Sequence, residues 1–247
     1  MICPRAYNKI MQTVCANFTD RLKDLFGSDL LAVILYGSAA RGTYRKGVSD
    51  INLCVILEKS SPRKIFEMGR VTKSFLRKHR ITPLVMTHEE LLSSADVFPL
   101  EYGDIREAHQ VLYGDQNIFT LDLCRANLRY QLEEKLRGAV NDMRSMLLAA
   151  GGSEKLLGRL LVGWSGLGRT LFRALLRLKR ISGIPADALL PRVSAEYGVC
   201  MDGFAALERF RQGEKNSAAG LAEALLEALK AFVRAVDAMP AGEGGPA

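Results

Sequence analysis

The residues of this chain best suited to chemistry fall within one segment, Leu31 to Leu57, LAVILYGSAARGTYRKGVSDINLCVIL. It reads as an apolar strand ending at Gly37 and Ser38, a short basic connection, and a second apolar strand opened by Asp50. Buried strands are short, near-continuous apolar runs bounded by turn signals, and both ends of this segment fit. A Gly-Ser pair feeding a helix start at Ala39 and Ala40 presents backbone N–H groups and a hydroxyl to an anion, and Gly37 allows close approach. Residues two apart on a strand share a face, so Asp50 and Asn52 point the same way and can address the cation that accompanies a phosphate. Arg41 adds positive charge, with Arg45 and Lys46 nearby. Ser49 either caps the turn or contacts the ligand.

Taken in order, Gly37-Ser38, Arg41-Gly42 and Ser49-Asp50 between two apolar strands resemble the signature of the nucleotidyltransferase superfamily. This polymerase-beta-like fold includes aminoglycoside nucleotidyltransferases and small nucleotidyltransferase antitoxins. The resemblance implies a nucleoside triphosphate bound with Mg2+, with Gly37, Ser38, Arg41 and Ser49 as nucleotide-binding residues. It makes Asp50 and Asn52 the metal ligands and the catalytic pair for moving an NMP group to an acceptor. In the family the position of Asn52 is a second Asp, and a third carboxylate on a later strand helps activate the acceptor hydroxyl. Asn52 offers a cation a carbonyl oxygen but no charge. The next predicted strand, Ile81 to Thr87, contains no acid; Glu89 and Glu90 lie just beyond it, and Glu101 and Asp104 further on. Two readings therefore stand. One is a transferase acting on a small hydroxyl compound, a protein side chain or an RNA end. The other is a catalytically degenerate nucleotide- or RNA-binding regulator that acts with a partner protein.

These residues need a frame, and the pattern predicts an α/β (α+β) fold: a small mixed sheet with flanking helices, then an all-helical domain. Apolar positions from Ile10 to Leu25 recur at helical spacing over Pro4 to Phe26, with Gly27 as the stop. Ser60-Ser61-Pro62 opens a basic helix toward His79. Pro83 assigns the third strand an edge or irregular position, and Thr87 to Glu90 reads as a capping box. Phe98 to Gly114 reads as a connector over the sheet. Helices are predicted over Leu121 to Ala150 and, after Gly151-Gly152, over Glu154 to Arg180, then over 202–212 and 217–239. Gly163, Gly166 and Gly168 inside the second of these imply close helix packing or a break. Arg169, Arg173, Arg177 and Arg180 form one helix face, either solvated or phosphate-attracting. The domains expected are 1–116 and 117–239, with a flexible tail over 240–247. The resemblance implies a site in the cleft between the two domains.

Composition narrows the class. The chain has 247 residues, 48% hydrophobic and 25% charged, enough for a sizeable core. No apolar run reaches the length of a membrane span, and MICPRAYNKIMQ lacks the apolar stretch of a secretory signal, so a cytoplasmic protein with no membrane partner is expected. Five scattered cysteines and three scattered histidines offer no zinc-like spacing. A formal charge of +7, dense from Arg63 to Arg80, suits a polyanionic partner such as a nucleotide or RNA.

Overall fold

Strands β1 (Leu30–Tyr36) and β2 (Ile51–Leu57) consist almost wholly of apolar residues, so both of their faces must be covered. They are, and Leu53 to Leu57 are fully buried. The two pair antiparallel at the centre of a four-stranded sheet of order β3-β2-β1-β4. The computed structural model describes residues 4–44, 49–164 and 168–240. Arg45 and Lys46, Gly166 and the tail beyond residue 240 lie outside the described residues.

Helix α1 (Pro4–Phe26) and helix α2 (Pro62–His79) cover one face of the sheet. Phe18 and Leu22 of α1 and Met68 of α2 share a core with Val33, Leu35, Leu53 and Val55. Helix α2 starts where the sequence predicts: Ser61 Oγ accepts the Lys64 N–H, with Pro62 in the first turn. Strand β3 (Ile81–Thr87) pairs parallel with β2 as an edge strand, which tolerates Pro83. The capping box at Thr87 and Glu90 is formed and opens α3 (His88–Ser93).

The stretch from Phe98 to Gly114 is not a connector. It contains helix α4 (Pro99–Glu107) and a fourth strand, β4 (His109–Gly114), antiparallel to β1. HQVLYG carries too short an apolar alternation to announce a strand by itself; the free edge of β1 recruits it.

The chain divides into two compact units, residues 1–95 with 105–121, and residues 96–104 with 122–247. Sequence pattern places a single boundary at 116. The second unit is helical: α5 (Arg125–Ala150), α6 (Glu154–Gly163), α7 (Arg169–Leu178), α8 (Leu189–Tyr197), α9 (Asp202–Arg211) and α10 (Ala218–Asp237). The helix expected over Glu154 to Arg180 is two helices. Gly163 ends one and Gly168 caps the next, and a Cβ at either would meet nothing within 4 Å, so these glycines mark the break and not close packing. Helix α8 has no counterpart in the sequence reading, because Pro191 and Gly198 interrupt its pattern. Trp164 is a core residue.

The expected basic face of α7 is resolved differently. Arg173 and Arg177 are each only 6% exposed, and they donate to the Ile184 and Leu100 carbonyls. The Arg177 guanidinium lies against Gly103, where a Cβ would approach it within 2.9 Å. Arg169 pairs with Glu208 and Arg180 follows the helix end in left-handed backbone. Periodicity alone cannot tell a solvated arginine face from a buried polar seam.

Glu154 anchors the far end of the helical unit. Its carboxylate accepts the Ala218 and Ala219 N–H groups and the Ser217 hydroxyl at the start of α10, and the first of these bonds does most to hold its pKa below the usual 4.5. A lowered folded-state pKa stabilises above the unfolded value, and that stability is lost as pH falls through the folded one. Urea unfolding is therefore expected to find Glu154→Gln less stable than the native chain at neutral pH. The variant is also expected to lose less further stability than the native chain on acidification below 4.5.

Candidate functional site

The register of β1 against β2 places Tyr36 opposite Asn52, so the turn leaving β1 begins beside the start of β2. Gly37 adopts φ +74°, which favours glycine, and a Cβ there would sit 2.9 Å from Asn52 Nδ2. Glycine is required twice over, by conformation and by the Asn52 side chain.

The helix expected from Ala39 does not form. Gly37 to Gly42 make a closed turn instead, with Arg41 N–H donating to the Gly37 carbonyl, Gly42 N–H to Ala39 and Thr43 N–H to Ser38. Those bonds use the N–H groups at the end of the turn. The N–H groups of Ser38, Ala39 and Ala40, at its beginning, donate to no group among the described residues. Consecutive uncommitted N–H groups after a left-handed residue make an anion-binding concavity.

Arg41 and Glu107 lie behind this turn. Their ion pair, Nη1 to Oε1 3.6 Å, is nearly closed to solvent, with side chains 12% and 11% exposed. Arg41 thus braces the turn through its side chain while its backbone closes it.

Asp50 precedes β2 and is half exposed, and Arg80 holds it. Arg80 Nε and Nη2 both lie 2.9 Å from Asp50 Oδ1. The contact follows from the sheet: Ile51 stands beside Ile81 in the parallel β2–β3 register, so residues 50 and 80 are neighbours, and the Ile51 N–H donates to the Arg80 carbonyl. Sequence reasoning missed both Arg80 and Glu107. The pairing of β2 with β3 is the signal that would have found Arg80. Ser49 is half-buried at the bend before Asp50.

The other acids have work elsewhere. Glu101 accepts from Gln131 Nε2 at 2.7 Å, Asp104 is buried and accepts from Thr170 Oγ1, and Glu90 belongs to its capping box. Among the described residues no three His, Cys, Asp or Glu side chains are grouped to hold a metal ion. The Mg2+ that the fold implies therefore meets one carboxylate, already engaged by a guanidinium, and one neutral amide. A metal pair clamped by shared carboxylates does not fit this donor set. A cavity of about 840 Å3 lies in the helical unit against Phe172, Met201 and Phe204, and no predicted site residue lines it.

The region that holds this turn is similar to known proteins. Residues 15–113 match the family model for the nucleotidyltransferase domain. A protein of Methanocaldococcus jannaschii named, provisionally, a protein adenylyltransferase is 29% identical over 117 residues, 45% of this chain and 77% of that protein. Among solved structures, spectinomycin adenyltransferase AAD(9) from Enterococcus faecialis, with ATP and spectinomycin, aligns over 87% of this chain and 98% of that one. The TM-score is 0.53 at 11% identity, a likeness of fold.

The Arg41–Glu107 pair makes a separable prediction. Arg41→Met leaves an enclosed carboxylate without its guanidinium, at a cost of ~3 kcal/mol or more in urea unfolding. Arg41→Met combined with Glu107→Gln is expected to recover most of that loss, whereas additive losses would mean that the pair contributes little.

Proposed function

We propose that this chain, whose residues 15–113 match the nucleotidyltransferase domain, binds a nucleoside triphosphate at the Gly37 turn as a regulator without the family's metal-dependent transfer. The observation that supports this reading is the Gly37 turn, with three uncommitted N–H groups at its beginning, beside Asn52 and an Asp50 that pairs with Arg80. The triphosphate would take the N–H groups of Ser38, Ala39 and Ala40 and the Ser38 hydroxyl. Arg80, half exposed, would offset the Asp50 charge that the phosphates otherwise face.

Transfer asks for more. An acceptor oxygen must attack the α-phosphorus while the bond to the β-phosphate breaks and pyrophosphate leaves, and the acceptor's proton needs a base. β3 carries no acid for that step, and Asn52 cannot serve as a base. NMP transfer to a hydroxyl acceptor remains the second reading, favoured by the adenylyltransferase relatives. It would use a single Mg2+ carried in by the triphosphate on Asp50.

Calorimetry of ATP with Mg2+ and with a chelator separates the two. The native chain is expected to bind ATP equally in both. Asn52→Asp is expected to bind several-fold more weakly in chelator, one added like charge near the phosphates amounting to ~1 kcal/mol, and to regain affinity with Mg2+. Native binding that requires Mg2+ would overturn the metal-free reading and return the protein to the transferases.

A further inference from the structure

The positive charge of this protein is concentrated on one element. Helix α2 with its cap residue Arg80 holds seven basic residues and one acidic, an excess of six against seven for the whole chain. Three of the seven are matched locally: Lys64 by Asp29 at 2.5 Å, Arg70 by Glu67 at 3.4 Å and Arg80 by Asp50. Arg63, Lys73, Arg77 and Lys78 have no carboxylate partner among the described residues.

Their placement is regular. Arg63, Phe66, Arg70, Lys73 and Arg77 follow one another at spacings of three and four, so they form a single stripe along the helix. All five are exposed, because Met68 and Thr72 occupy the opposite face against the sheet. Phe66, 80% exposed, stands in the midst of these cations. A lone exposed phenyl is unremarkable by itself; one framed by guanidinium and ammonium groups along one helix face can serve as a stacking platform.

Beside the stripe, Lys78 and Ser74 lead into a groove of about 600 Å3 between α1 and α2. Phe75 lines it, flanked by the His79 ring at 4.5 Å and the Arg21 guanidinium at 4.9 Å, with Asn17 offering hydrogen bonds. Flat rings, a guanidinium plane and an amide in one basic groove are the groups that take an unpaired base.

We infer that the exposed face of α2, with the groove between α1 and α2, is a binding surface for single-stranded nucleic acid. The strand's phosphates lie along Arg63, Arg70, Lys73 and Arg77, and bases stack on Phe66 and enter the groove at Phe75. Unpaired strands are favoured over duplex because a paired base has no open face for Phe66. They are favoured over a membrane because the stripe exposes one phenyl among cations and no apolar band to bury. The inference is independent of nucleotide binding at the Gly37 turn.

The test uses the full chain and fluorescein-labelled oligo(U) and oligo(dT) of about 20 nucleotides, followed by anisotropy between about 50 and 200 mM salt. Binding of either strand is expected, falling steeply with salt. Phe66→Ala is expected to weaken it about tenfold with the salt slope unchanged. Lys73→Gln with Arg77→Gln is expected to flatten the slope by ~1 to 1.5, because about two phosphates are then no longer neutralised. Asn52→Asp, at the other site, is expected to leave both affinity and slope unaltered. No binding at the lowest salt, equal affinity for duplex or heparin, or indifference to Phe66→Ala would each overturn the inference. So would Phe66-dependent binding to anionic phosphatidylserine vesicles without binding to either oligonucleotide.

Discussion

Across the antiparallel pair of β1 and β2, Tyr36 stands opposite Asn52 and Leu30 opposite Leu57, and this register carries the rest of the α/β unit. Both strands are buried on both faces, so a slip of one residue would move every side chain to the wrong layer. With the register held, the turn at Gly37 has one place to go, beside the Asn52 amide. The parallel addition of β3 then brings Arg80 to Asp50, and the addition of β4 completes the sheet after Glu107, which meets Arg41. The candidate site is thus a by-product of strand pairing.

The same logic separates the Gly37 turn from the two side chains beside it. The turn is closed by backbone hydrogen bonds and depends on Gly37, and the Arg41–Glu107 pair braces it. A metal pair clamped by shared carboxylates needs two acids, and these positions hold one acid, Asp50, and one amide, Asn52. Asp50 is paired with the Arg80 guanidinium. The exposed Asp50–Arg80 pair is worth little to stability, as half-exposed ion pairs usually are, so its meaning is electrostatic.

The two units treat their arginines in opposite ways. In the helical unit Arg129, Arg173 and Arg177 are buried and donate to the Val236, Ile184 and Leu100 carbonyls. On α2 the basic residues remain at the surface and mostly unmatched. Composition counts both groups alike. Only the first set is structural, and the remaining excess belongs to one helix face of the α/β unit.

The sequence alone determined what depends on local pattern. The central strands, the start of α2 at Ser61, β3 with its edge proline and the capping box at Thr87 follow from apolar runs and turn chemistry within a few residues. The ordered Gly-Ser, Arg-Gly and Ser-Asp motif pointed to the superfamily for the same reason. Tertiary structure decided whatever depends on partners distant in sequence. β4 is a strand because β1 has an edge to pair, and Arg173 and Arg177 are buried where the distant Ile184 and Leu100 carbonyls accept from them. Glu101 and Asp104, near enough in sequence to serve a metal, are held by Gln131 and Thr170. Asp50, which its sequence neighbours suggest as a metal ligand, also pairs with an arginine thirty residues away through a strand register.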